Sequence, residues 1–331
     1  TFDGDFGGVF YRQTVFAGPG FVQGQIGTAI TRQVVGTTTR SVPQMNGPPL
    51  TVVTPVIADV TVPVFGPIPA PRQVLTPVAG RYSGVMITDN DSPRPVDRGY
   101  FGYSYYDGLS SSLNPGYGDT AMGRQFLGFE KTLFDDNASI GMRLPYIQLY
   151  GPNDTGGTAV GDLSILGKWA FYNDKETGNL MSVGMVLTTP TGNGNGLFPD
   201  GSPVPHSVIF QPWGGFVRVL GRGYVQGISN LLVPTDARDV TLWGNSLAVG
   251  YRLNDGRGFL PSITPTFETH IRTPLNKRDP NGLVYLQDQV NLTSGAHFTW
   301  GRLTISGATC VPIANPRPWN IEAIGNMNFR F

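Results

Sequence analysis

Asn320–Phe331 reads NIEAIGNMNFRF. Successive side chains of an extended chain point to opposite faces. Ile321, Ala323, Gly325, Met327, Phe329 and Phe331 therefore share one face, and Asn320, Glu322, Asn326, Asn328 and Arg330 share the other, where Ile324 is the only apolar member. In a soluble sheet the apolar face would pack on a core. In a membrane barrel it meets lipid, and the polar face lines the lumen.

Composition favours the second layout. The chain has 331 residues, 40% of them hydrophobic, yet charged residues make up only 14% against a usual value of about 25%. Gly (45) and Pro (28) punctuate the chain so densely that no stretch longer than 12 residues lacks one, which disfavours long helices and a helical membrane span. With 23 basic and 23 acidic residues the net charge is zero, so the electrostatic footprint of a nucleic-acid binder is missing. Cys310 is the only cysteine, which excludes an intrachain disulfide framework and multi-cysteine metal sites. The first residue is Thr1 rather than Met, consistent with a mature chain whose export signal has been removed.

From Arg98 onward the alternation recurs in twelve runs: Gly99–Tyr106, Arg124–Leu133, Ala138–Tyr150, Gly161–Asn173, Asn179–Thr189, Val208–Leu220, Tyr224–Val233, Thr241–Leu253, Phe259–Thr273, Val290–Thr299, Leu303–Val311 and Asn320–Phe331. The odd connections hold 17, 10, 18, 7, 16 and 8 residues and the even ones 4, 5, 3, 5 and 3. Long loops thus gather at one end of an up-and-down sheet and short turns at the other, the asymmetry of outer-membrane barrels. The pattern predicts an all-β fold: an antiparallel transmembrane β-barrel of about 12 strands over residues 98–331, preceded by a Pro/Gly-rich arm over residues 1–97. Leu50–Val74 (LTVVTPVIADVTVPVFGPIPAPRQV) carries the arm's character, and Pro at this density favours polyproline II or edge strands. The arm is expected in the periplasm or in the lumen, as a plug or as the site of oligomeric contacts.

Several passages resemble a family of outer-membrane barrels assigned to the MetA pathway of phenol degradation, in a branch associated with planctomycete-like bacteria. They are DNDSPRPVDRGYFGYSYY (Asp89–Tyr106), GFEKTLFDDNASIGMRLP (Gly128–Pro145), GDLSILGKWAF (Gly161–Phe171), VLTTPTG (Val186–Gly192), VPTDARDVTLWGNSLAVGY (Val233–Tyr251), IRTPLN (Ile271–Asn276) and PRPWNIEAI (Pro316–Ile324). The resemblance implies an outer-membrane barrel handling small aromatic or apolar solutes, and it leaves the arm unexplained.

Candidate lumen residues follow from the alternation: Glu130, Arg143, Asp162, Lys168, Arg218, Arg252, Glu268, His270, Arg272, Glu322 and Arg330. Paired across the lumen they would hold the barrel together; unpaired they would set the electrostatics of a pore. Met327, Phe329 and the terminal Phe331 resemble the C-terminal signal read by barrel-insertion machinery. No enzymatic constellation stands out. His206, His270 and His297 form no metal-ligand pair, and a barrel hydrolase would need Ser, His and an acid on adjacent strands, with His270 and His297 the available bases. TGNGNG (Thr191–Gly196) reads as a loop. The sequence thus predicts a bacterial outer-membrane pore without cofactor, metal or catalysis, its partners being lipid and other copies of the chain. The competing reading is a structural outer-membrane protein with a blocked barrel whose arm builds an assembly.

Overall fold

A computed structural model describes residues 10–44, 47–77, 90–116, 118, 120–151, 157–192 and 198–331. Among the described residues there are sixteen strands and no helix: β1 (Phe10–Gln44), β2 (Gly47–Pro77), β3 (Arg98–Asp107), β4 (Ala121–Leu133), β5 (Ala138–Tyr150), β6 (Gly157–Val160), β7 (Leu163–Asn173), β8 (Leu180–Thr189), β9 (Ile209–Leu220), β10 (Gly223–Pro234), β11 (Leu242–Tyr251), β12 (Ser262–Pro274), β13 (Val284–Tyr285), β14 (Gln289–Trp300), β15 (Leu303–Pro312) and β16 (Ile321–Arg330). Most of TGNGNG lies outside the described residues.

Twelve of the strands close a barrel in the order β4-β3-β16-β15-β14-β12-β11-β10-β9-β8-β7-β5, and β5 pairs back onto β4. Every neighbour is antiparallel, and the first strand meets the last with Arg98 opposite Arg330 and Asp107 opposite Ile321. Closure matters energetically because an open sheet edge leaves backbone N–H and C=O groups unpaired, which is prohibitive in hydrocarbon. The two-residue turns at Gly221–Arg222 and Gly301–Arg302 place the glycines at φ +63° and +55°, the left-handed geometry that tight hairpins demand.

The alternation sorts side chains as the sequence predicts. Inward positions of β5 (Ser139, Arg143) and β16 (Glu322, Asn326) are buried, whereas outward Ile140, Met142, Met327 and Phe329 are 47–55% exposed. Leu127, Trp169, Phe171, Leu247 and Phe267 extend this apolar outer surface around the barrel. At about 25 cal/mol per Å² such a surface is unfavourable in water, and a lipid annulus relieves it.

One connection departs from the sorted loop lengths. The β11–β12 link runs over ten residues, Arg252–Pro261, because β12 begins at Ser262 rather than at Phe259. Arg257 and Leu260 form their own small bridge, Phe259 stands fully exposed, and Pro261 has no N–H to offer a ladder.

Two apolar clusters fill the long-loop end of the barrel. One joins Tyr106, Leu109, Met122, Ile147, Trp319 and Leu75; the other joins Phe198, Val204, Ile209, Leu232, Leu242 and Leu286. Trp319 and Tyr106 meet edge to face at 5.5 Å. Leu75 is tied there by a reciprocal pair of bonds: its N–H donates to Asn114 Oδ1 (2.8 Å), and Asn114 Nδ2 donates to its carbonyl (2.7 Å). Phe10 and Tyr11 pair with Tyr285 and Val284 at the same end.

Contacts divide the chain into two units, Val15–Arg72 and the remainder. The smaller unit is the body of a hydrogen-bonded ribbon of β1 and β2. Thr38 Oγ1 donates to the Thr54 carbonyl, and the space beside Gly24 is taken by Ile68 while that beside Gly66 is taken by Ile26. One strand therefore descends as the other rises. The prolines of the Pro-rich segment are largely phased: Pro49, Pro55, Pro63, Pro67, Pro69, Pro71 and Pro77 occupy odd positions, with Pro48 at the start of the strand the exception. In an antiparallel ladder alternate residues turn their N–H away from the partner, so prolines kept to that phase cost the ladder nothing and thin the donors along the outer edge of β2.

Candidate functional site: a charged crossing of the lumen

Asn90–Asp97 precedes β3 and spans the lumen at the short-turn half. Pro93 offers its carbonyl to Ser182 Oγ on β8 (2.8 Å) and packs against Gly215 on β9. The Arg94 guanidinium donates to the Gly178 carbonyl in the β7–β8 turn. Asn90 and Asn328 bond each other through both side-chain amides at 2.9 Å. The segment thus touches β8, β9 and β16, well apart around the barrel.

Its anchor is an ion network. Asp91 meets Arg98 Nη2 at 2.9 Å, Arg143 Nη2 at 3.3 Å and Lys168 Nζ at 3.6 Å. Glu130 meets Arg98 Nε at 3.0 Å and Lys168 Nζ at 2.9 Å, and accepts from Ser139 Oγ at 2.7 Å and from the Val96 N–H at 3.3 Å. All five charged side chains are at most 8% exposed. Two carboxylates against three cations leave one net positive charge, and ions so removed from water are tolerable only when each is multiply bonded. Arg98 also lies over the Tyr100 ring at 4.4 Å and donates to the Asn90 carbonyl at 2.6 Å.

The sequence-derived candidates separate into groups. Glu130, Arg143 and Lys168 belong to this network. Asp162 is fully buried and ties down the β8–β9 loop, accepting from the Gly192 N–H and bonding His206 Nε2, each at 2.8 Å. Glu268, His270, Arg272 and Glu322 are buried towards the long-loop half. His270 Nδ1 lies 3.0 Å from Ser246 Oγ, and its Nε2 lies 3.2 Å from Thr293 Oγ1 and 3.5 Å from Glu268 Oε2. A serine, a histidine and an acid therefore do meet on adjacent strands, β11 and β12. His270 exposes no surface, so a substrate would reach it only by displacing its neighbours. Arg252 and Arg330 are exposed at the short-turn rim.

Arg218 differs from expectation. On β9 the buried positions are Ile209, Gln211, Trp213 and Val217, which puts Arg218 on the outward face, exposed. Gly214 and Gly215 interrupt the alternation with two residues that display no side chain, and the reading loses phase there. Arg218 lies three residues before Gly221, near the turn, where a charge reaches headgroups rather than hydrocarbon. Met327, Phe329 and Phe331 face outward, and Phe331 stacks on Phe129 at 5.5 Å.

Asp91, Arg94, Arg98 and Arg124 were not among the sequence candidates. Asp91 and Arg94 lie outside any alternating run, so periodicity gave no reason to place them inside. Arg98 and Arg124 continue the inward phase of Tyr100 on β3 and of Phe126 on β4, a signal present in the sequence.

No family model and no curated protein matches the sequence. Among solved structures, an outer-membrane channel from Pseudomonas putida F1 superposes with a TM-score of 0.52 at 14% identity, over 72% of this chain and 96% of that one. The fold is that of an outer-membrane β-barrel. The NanC porin (TM-score 0.46, 11% identity, 70% of this chain and 98% of that one) and the KdgM porin (0.41, 6%, 70% and 99%) are more distant. The share of this chain covered by the channel is close to the extent of the barrel, and the fold implied by the phenol-degradation resemblance is the one found.

Proposed function

We propose that the chain is an outer-membrane pore for the passive passage of small solutes, including the apolar or aromatic compounds implied by the family resemblance, with no chemistry on the solute. The observation that carries this reading is the pairing of a closed twelve-stranded barrel, its outer face free of charge away from the short-turn rim, with a lumen lined by charges of both signs and narrowed by Asn90–Asp97. Solutes would pass beside that segment, and the Asp91 network would set how far it yields. Planar-bilayer recording tests the proposal. Wild-type protein should pass a steady ionic current that rises in Asp91→Asn, because the segment loses its anchor. Absence of current from both proteins would refute it.

A second reading, assembly through the arm, is favoured by the ribbon. Its even-numbered face carries Val22, Ile26, Ile30, Val34, Val42, Leu50, Val52 and Val56, all exposed, and an isolated two-stranded ribbon is at best marginally stable in water. The prolines guard the β2 edge, so the contact we propose is face on face with a second copy. Joining Thr14 to Gln73 by a short linker should convert an oligomer in detergent to a monomer; unchanged mass would refute this reading and leave the pore untouched.

A further inference from the structure

A cavity of about 350 Å³ lies between the lumen-crossing segment and the far wall at the short-turn end. Its charged lining is entirely cationic: Arg94, Arg98, Arg222, Arg252 and Arg330, with no Asp or Glu among the lining residues. Two of these charges are already matched, Arg98 by Asp91 and Glu130 and Arg222 by Asp255. Arg94, Arg252 and Arg330 have no ion-pair partner among the described residues. Like charges held in one concavity repel one another and raise the local concentration of anions.

A second observation is independent of charge. Gln226 on β10 is 5% exposed and lines the same cavity, and its side-chain Nε2 has no hydrogen-bond acceptor among the described residues. A buried amide donor left unmade is unfavourable, and an acceptor entering the cavity would satisfy it. The rest of the wall is mixed: Val96, Val217, Val219 and the ring of Tyr224 supply apolar surface beside the polar side chains of Ser92, Thr264, His297, Thr299 and Thr304. Inorganic anions make no use of such a surface, whereas a guanidinium pairs readily with a planar carboxylate.

We propose that this cavity is a binding site for a small organic anion, a carboxylate on a compact apolar body, with the carboxylate held by Arg94, Arg252, Arg330 and Gln226 and the body set against the valines and Tyr224. The proposal rests on the pore reading for the route by which such a solute crosses, but not for its binding. The site would act as a selectivity vestibule: anions gather at the rim, and the apolar wall sorts those that carry a hydrophobic body.

The test uses the full chain in detergent, titrated with sodium benzoate by calorimetry, with benzamide as the neutral isostere and acetate as the anion without a body. Benzoate should bind saturably, and benzamide and acetate at least tenfold more weakly. Arg252→Gln/Arg330→Gln should weaken benzoate at least tenfold; both side chains are exposed at the rim and lack ion pairs, so the barrel stays folded. Gln226→Leu, on β10, supplies a second variant and should weaken benzoate severalfold. Equal binding of benzoate and benzamide, equal binding of benzoate and acetate, or an unaltered double variant would overturn the proposal. Bilayer recording separates it from the pore reading. Benzoate binding by a protein that passes no current supports the site and sinks the pore; current without benzoate binding does the reverse.

Discussion

The barrel and the ribbon are built from the same unusual composition, poor in charge and rich in β-branched residues, Gly and Pro, yet they dispose of it in opposite ways. The barrel closes on itself, so its wall has no open ladder edge, and its outward face is apolar while charges, polar groups and a few apolar clusters fill the inside. The ribbon stays open, with two edges, and exposes apolar residues on both faces, more of them on the even-numbered one. The lesson is that strand pattern fixes which side is oily, whereas closure decides whether that side is an asset. Lipid is the natural partner of the barrel's bare face. The ribbon neither closes nor carries a core, which is the ground for the proposal that it packs on a second copy.

This contrast can be broken at its most rigid point. Asp91→Asn removes the carboxylate that Arg98, Arg143 and Lys168 share, and leaves three buried cations facing Glu130 alone. A loss of about 3–5 kcal/mol of barrel stability is expected, read as a lower melting point by circular dichroism in detergent. If melting is unchanged, the network is not what holds the crossing segment. A smaller effect is expected at Gly184, where an added Cβ would lie 2.3 Å from the Trp213 ring and 2.4 Å from the Gly167 carbonyl. Gly184→Ala should cost about 1–3 kcal/mol, because a closed wall has no slack.

The ribbon should behave in the reverse manner. Ile26→Asp and Ile30→Asp on its even face should leave barrel melting within about 0.5 kcal/mol of wild type while abolishing self-association in detergent. A shift in melting without a change in mass would mean that the ribbon supports the barrel rather than a neighbour.

The smallest effect concerns the junction between the arm and β3. Lys131 and the Thr132 hydroxyl and N–H bond the Asp97 carboxylate and hold its pKa down to about 2. A carboxylate depressed on folding adds stability above its unfolded pKa near 3.8 and loses it as pH falls towards 2. Asp97→Asn should therefore flatten the acid limb of the melting curve between about pH 4 and pH 2, by less than about 1 kcal/mol for this surface group.

Legibility followed the same division. All twelve barrel strands were readable because side-chain parity repeats over ten or more residues and each run ends in turn formers. β6 and β13, with four and two residues, were too short for any period to register. Arg218 went astray at Gly214–Gly215, where parity has no side chain to display. The ribbon was readable in principle: the predominantly odd phase of the prolines in β2 is written in the sequence, but proline density reads as a breaker unless its phase is considered. The crossing of the lumen was the least legible feature. Asp91 and Arg94 lie in a Pro-rich stretch with no period, and only the tertiary meeting with Glu130, Arg143 and Lys168 gives them a role.

The central claim is that a closed barrel with a charged, partly crossed lumen is a pore whose width is governed by the Asp91 network. Single-channel conductance of wild type and Asp91→Asn, measured side by side in the same bilayer, tests it most directly. The account predicts a small, steady wild-type conductance and a clearly larger one in the variant. Equal conductance in the two would contradict it.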